Sequence, residues 1–175
     1  RGIAWLKESG AQILLPHGLA EAERLLSAVR RLPGVVRAEI AGAVRRHLET
    51  VRDVEIVAAC VREPEAIAAA FARSPGVRDS VGSGTRHVAI RFDDGVRLQL
   101  HCVPASEFVV AWFRATGSAA HVQEVVARAT LRGLTLGDHD LRDASGRTIE
   151  LADEPPLYAA SGLPWLPPEL REGMG

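Results

Sequence analysis

The sequence predicts an α+β fold: a mixed β-sheet with flanking helices, followed by a smaller α+β module. Three observations predict it. Arg86–Phe92 and Val96–Val103 read as strands on either side of Asp93-Asp94-Gly95, a turn sequence because Asp and Gly tolerate positive φ. Ahead of that hairpin, helix-like and strand-like patterns alternate. Behind it, two helical stretches lead into a second, shorter hairpin. The 175 residues suffice for one domain or two small ones, at roughly 100–200 residues each.

The elements follow in order. Ala20, Ala22, Leu25, Leu26 and Val29 recur at helical spacing, which predicts a helix over 17–32, stopped by Pro33-Gly34. Val35–Ala41 reads as a strand. Gly42 opens a turn into a short helical segment, Ala43–His47. From Asp53 to Ala58, polar and apolar residues alternate and then give way to apolar ones, a strand whose first residues project from one face. Pro64 starts a helix over 64–73. After the first hairpin, helices are expected over 106–114 and 118–132, broken by Thr116-Gly117-Ser118, with Ser118 as N-cap and Gly133 at the C-terminal end. Leu141–Ile149 reads as a hairpin turning at Ala144-Ser145-Gly146. Pro164–Leu170 reads as a rigid extended linker. These patterns divide the chain into 1–105, 106–163 and 164–175.

Composition narrows the function classes. The net charge is −1, with 47% hydrophobic and 25% charged residues. That balance argues against disorder and against a nucleic-acid binder working by bulk charge. No apolar run approaches the ~20 residues that span a bilayer. Cys60 and Cys102 cannot make a disulfide framework and no C-x-x-C occurs, so a reducing, cytoplasmic setting is expected. The two cysteines read as buried small residues. Residues 1–52 carry nine basic and five acidic side chains, whereas residues 106–175 carry six and ten. A phosphate-binding surface is therefore expected in the first third. Both ends read as cuts from a longer chain: Arg1 stands where a methionine would begin, and no cleavable leader follows.

The chemistry concentrates in Gly42-Ala43-Val44-Arg45-Arg46-His47-Leu48-Glu49-Thr50-Val51-Arg52-Asp53-Val54-Glu55. A glycine lets backbone approach a ligand closely. The start of a short helix presents N–H groups to an anion. Arg45 and Arg46 can fork phosphate oxygens. Asp53 and Glu55, at i and i+2 on a strand, share one face, where hard cations such as Mg²⁺ bind oxygen. Metal-assisted phosphoryl or nucleotidyl transfer needs this set. Asp93-Asp94 reads as a solvated turn. The six histidines lack metal-ligand spacing, although His47 and His101 could face the site. Trp5, Trp112 and Trp165 read as packing anchors.

These motifs resemble the palm and thumb of bacterial family X DNA polymerases, relatives of DNA polymerase beta, from about Leu19 to Glu172. Val36–Gly42, Arg45-Arg46, Glu49-Thr50-Val51 and Asp53-Val54-Glu55 resemble the nucleotide-binding turn and first carboxylate strand. Gly84-Thr85-Arg86 and Gly95–Leu100 resemble the second sheet segment. Thr116-Gly117-Ser118, His121, Arg132-Gly133-Leu134, Tyr158–Trp165 and Pro167–Glu172 resemble the thumb and its end. The resemblance implies a nucleotidyltransferase-type palm and a small α+β thumb. It implies gapped or primed DNA and dNTP as partners, Mg²⁺ or Mn²⁺ as cofactor, and flanking DNA-end-binding and phosphoesterase domains outside this chain. Gly42, Ala43, Arg45 and Arg46 would hold nucleotide, Arg46 its triphosphate; Thr116, Gly117 and Ser118 would meet DNA; Asp53 and Glu55 would ligate metal.

The resemblance also exposes departures. Glu55 stands where the family has aspartate, and the third metal carboxylate falls on Gln99, which offers a metal no charge. An extra methylene moves the Glu55 oxygens by over ~1 Å, and misplacement on that scale can cost ~10²-fold in rate. Ala43 replaces a triphosphate-binding serine, and Arg114-Ala115 a tyrosine-phenylalanine pair. Val122 and Val126 replace an asparagine and an arginine that meet base and template. The expectation is a degenerate DNA-directed nucleotidyltransferase of the DNA-repair class, with weak or no polymerisation and residual DNA or nucleotide binding. An active gap-filling polymerase and a non-binding structural or interaction domain are the alternatives.

Overall fold

A computed structural model of the chain describes residues 13–47, 50–51, 53–82 and 84–172. The first half comprises β1 (Ile13–Leu14), α1 (Leu15–Arg30), β2 (Val35–Ala41), α2 (Gly42–Arg45), β3 (Thr50–Val51) and β4 (Val54–Cys60). It continues through α3 (Pro64–Ala72), β5 (Val77–Val81), β6 (His87–Phe92) and β7 (Arg97–Pro104). The second half holds α4 (Phe108–Thr116), α5 (Ala119–Leu131), β8 (Thr135–Leu136), β9 (Leu141–Arg142), β10 (Thr148–Ile149) and α6 (Glu154–Ala160).

The main sheet runs β2-β4-β7-β6-β5. It is mixed: β4 and β7 pair in parallel, and the other neighbours are antiparallel. Side chains alternate across a strand, so β4 serves two cores. Ile56, Ala58 and Cys60 face Leu25, Leu26 and Val29 of α1 and Ile67 and Phe71 of α3. Val57 and Ala59 face Phe108, Val109 and Trp112 of α4. Burial on both faces explains why this strand becomes wholly apolar after Glu55. Cys60 and Cys102 are buried, as expected. A third core, built on Val110, Phe113, Val125, Leu141, Leu157 and Tyr158, joins the helices of the second half to the sheet β8-β9-β10.

Local chemistry places most boundaries. In the first hairpin, Gly95 takes φ +92° and donates N–H to Phe92, while Asp94 accepts from the Val96 N–H. Ser118 accepts from the His121 N–H and caps α5, and Gly133 at φ +80° ends it. The second hairpin turns on Asp143, whose carboxylate accepts from the Ser145 and Arg147 N–H groups. Three features differ from expectation. Strand β5 closes one edge with four of its five residues exposed, so it shows no apolar pattern to read. Helix α6 lies in a stretch to which the sequence patterns assigned no element. The stretch expected as an extended linker is extended only as far as Pro167; a 3₁₀ turn follows at Pro168–Leu170. Leu163 and Leu166 pack on the third core, and Arg171 is fully buried, so this stretch is seated on the second half.

Candidate functional site

Strand register brings the three expected carboxylate positions together. Asp53 precedes β4, Glu55 is its second residue, and Glu55 pairs with Gln99 on β7. The Gln99 amide donates from Nε2 to Asp53 Oδ2 at 2.7 Å, and its Oε1 lies 2.6 Å from His87 Nε2. A carboxylate can only accept, so the amide nitrogen faces Asp53 and the carbonyl accepts from a His87 Nε2–H tautomer. Arg97 Nε stands 3.2 Å from the other Asp53 oxygen, out of hydrogen-bond alignment. His101 Nε2 lies 3.5 Å from Glu55 Oε1, and the His87 and His101 rings stack with centroids 4.3 Å apart. Gly42, at φ +65°, backs onto Glu55; a Cβ there would meet the carboxylate at 2.9 Å.

This donor set does not fit two hard divalent ions. A guanidinium already lies against one Asp53 oxygen, and an amide N–H, a donor, engages the other. No group of three or more His, Cys, Asp or Glu side chains among the described residues is arranged to hold a metal. Among the described residues, the buried atoms Asp53 Oδ1 and His101 Nε2 lack hydrogen-bond partners, but they belong to a carboxylate shared with Arg97 and to an imidazole, not to a third anion.

The two arginines of α2 and its turn reach across to the second half. Arg45 makes a forked pair with Glu154 at 2.7 and 2.8 Å, donates to Thr116 Oγ1 at 2.8 Å, and lies 3.7 Å over the Trp112 ring. Arg171 forks the same carboxylate at 2.9 and 3.3 Å, and Trp165 Nε1 donates to it at 3.3 Å. Burial would raise the pKa of Glu154, but hydrogen bonds and charge from Arg45 and Arg171 outweigh it and hold the group at about 2. Arg46 donates from Nη1 to the Thr116 carbonyl at 2.6 Å and from Nε to Glu172 at 3.0 Å. Both arginines thus have protein partners. Thr116 and Gly117 are buried, and the Ser118 N–H donates to the Arg171 carbonyl. Ala43 is half-buried against the first core.

A family model described as the DNA polymerase beta thumb matches residues 111–172, the stretch from α4 to Glu172. Over that stretch the chain is similar to the thumb of DNA polymerase beta. It is also similar to the DNA polymerase/3'-5' exonuclease PolX of Bacillus subtilis (strain 168), with 24% identity over 173 residues. That similarity covers 95% of this chain and 30% of the relative's length.

Two of the positions read in the sequence as departures are packing residues. Val122 lies in the third core and Val126 packs against it. Arg114 braces the β8 loop through the carbonyls of Gly137 and Leu136. Trp112 anchors the two halves, donating Nε1 to the Ile40 carbonyl, while Trp165 remains partly exposed. Sequence reasoning missed His87 and Arg97. Counting back from the Asp94 turn places His87 opposite His101 and Arg97 opposite Arg91, so hairpin register held that signal. It also missed Glu154, Arg171 and Glu172, for which no local pattern exists. Glu49 and Trp5 lie outside the described residues.

Proposed function

We propose that residues 1–105 form a nucleotidyltransferase-type palm, 106–163 a thumb, and 164–175 a segment leading toward a phosphoesterase domain. In this reading the assembly is a degenerate DNA-directed nucleotidyltransferase. Polymerisation is weak or absent, and residual nucleotide or DNA binding rests on Arg46. One observation carries the reading: Gln99 occupies the third carboxylate position and donates to Asp53 at 2.7 Å. The Asp53 charge is thereby spent on an amide and on Arg97. Glu55 has His101 as its polar neighbour, and Mg²⁺ or Mn²⁺ would meet two anions where the resemblance implies three.

The chemistry left to this chain's own residues is binding. Arg46 offers the guanidinium that could take a phosphate oxygen. Arg45 is committed to Glu154, and Thr116, Gly117 and Ser118 serve the junction between the halves. Ten acidic against six basic residues over 106–175 also disfavour a strong grip on DNA.

Primer extension on a gapped duplex with Mg²⁺ or Mn²⁺ tests this. Wild type and Asp53→Ala are expected to extend equally poorly. Robust extension by wild type that disappears in Asp53→Ala would overturn the reading and restore an active polymerase. A gel shift on the same duplex at low salt is expected to show weak binding; none at all would favour a structural or interaction domain.

A further inference from the structure

The terminal described stretch lies directly on the turn that carries the phosphate reading. Arg46 Nε donates to Glu172 Oε2 at 3.0 Å, and Glu169 Oε2 stands 3.9 Å from His47 Nε2. Residue 172 is no loose end: Arg171 beside it is fully buried, its guanidinium on Glu154 and its carbonyl accepting from the Ser118 N–H at 2.9 Å. The backbone on the amino-terminal side of Glu172 is therefore fixed. The Arg46 side chain is 15% exposed and the Glu172 side chain 47% exposed. Of the two, Glu172 is the partner with room to leave.

We propose that Glu172 is an internal competitor at the phosphate site: its carboxylate occupies the Arg46 guanidinium, and a phosphate oxyanion binds by displacing it. The inference rests on the reading of Arg46 as an anion-binding residue. The chemistry is charge-assisted hydrogen bonding, in which carboxylate and phosphate oxygens compete for the same N–H donors. Arg46 Nη1 stays on the Thr116 carbonyl and fixes the fork, so Nε is the donor that exchanges. The phosphate can come from a nucleotide polyphosphate or from a DNA backbone, and Glu172 opposes both.

The test is calorimetric titration of the full chain at low salt with inorganic tripolyphosphate and, separately, with a gapped duplex. Wild type is compared with Glu172→Gln, Glu124→Gln, Arg46→Met and the Arg46→Met/Glu172→Gln pair. Glu124 lies on α5 and its change removes the same charge away from Arg46. Glu172→Gln is expected to bind phosphate ~3–10-fold more tightly, the worth of a half-exposed charged contact. Glu124→Gln should match wild type, and Arg46→Met should abolish the gain. A gain with tripolyphosphate assigns the competition to nucleotide, and a gain with the duplex alone assigns it to DNA. Equal affinity of wild type and Glu172→Gln, with Arg46→Met weaker than both, would overturn the competition and leave Arg46 as an anion site. Binding by none of the variants would overturn both. An equal gain in Glu124→Gln would reduce the effect to net charge and also overturn the competition.

Discussion

Gln99 joins two polar neighbours of the site. Its amide bridges Asp53 and His87, and restoring a carboxylate there changes the local balance. Gln99→Asp places a second anion beside Asp53 without a hydrogen bond between them. We expect the metal-free variant to be destabilised by about 1–2 kcal/mol, read from urea unfolding. Combining it with Glu55→Asp is expected to raise Mn²⁺ affinity at least ~10-fold over wild type, because the gained anion contributes Coulomb attraction at close range. Calorimetry with Mn²⁺ checks this. Unchanged affinity would mean that Arg97, rather than the missing carboxylate, limits the site. At this scale the sequence was informative: the i and i+2 spacing brought Asp53 and Glu55 together, and Gln99 falls beside them through parallel register. The commitment of Arg45 to Glu154 was not legible, because 109 residues separate the partners and no short pattern marks such a pair.

The junction is built from α2, α4, α6 and the 3₁₀ turn at Pro168–Leu170. Its centre is Glu154, buried between Arg45 and Arg171. Glu154→Gln leaves two guanidiniums in a buried setting with a neutral partner. Breaking one member out of a buried ion pair costs ~3–5 kcal/mol, so urea unfolding should show a loss of that order. A loss below about 1 kcal/mol would mean that water replaces the carboxylate. Helix α6 was open to sequence reasoning. Asp153 caps it by accepting from the Glu154 N–H, and prolines at the second and third positions fit a first turn, where N–H groups have no partner within the helix. Strand β5 was not open to it: an exposed edge strand carries no buried face, so Val77–Val81 shows neither period two nor an apolar run.

For the molecule as a whole, acid is the expected weak point. The Glu154 pKa sits at about 2 against an ordinary 4.5. Folding therefore binds fewer protons than unfolding there, and the stability is complete above pH ~4.5 and fades as pH falls toward ~2. At ~1.4 kcal/mol per unit, that window holds about 3 kcal/mol. His121, buried beside Tyr158 and near the Arg171 charge, is also lowered from its ordinary 6.5. It contributes stability that begins to fall once pH drops below about 6.5. Urea midpoints at pH 7, 5 and 3 should decline stepwise, and Glu154→Gln should flatten the lower step. A midpoint unchanged between pH 5 and 3 would contradict the assignment.

The salt link at Glu154 draws on residues 45, 154 and 171, which synthesis delivers far apart in time. A nascent chain that has released residues 1–160 carries this acid with a single guanidinium, and the second arrives only when the ribosome has passed residue 171. Assembly of the two halves is thus contingent on emergence of the stretch that carries Arg171.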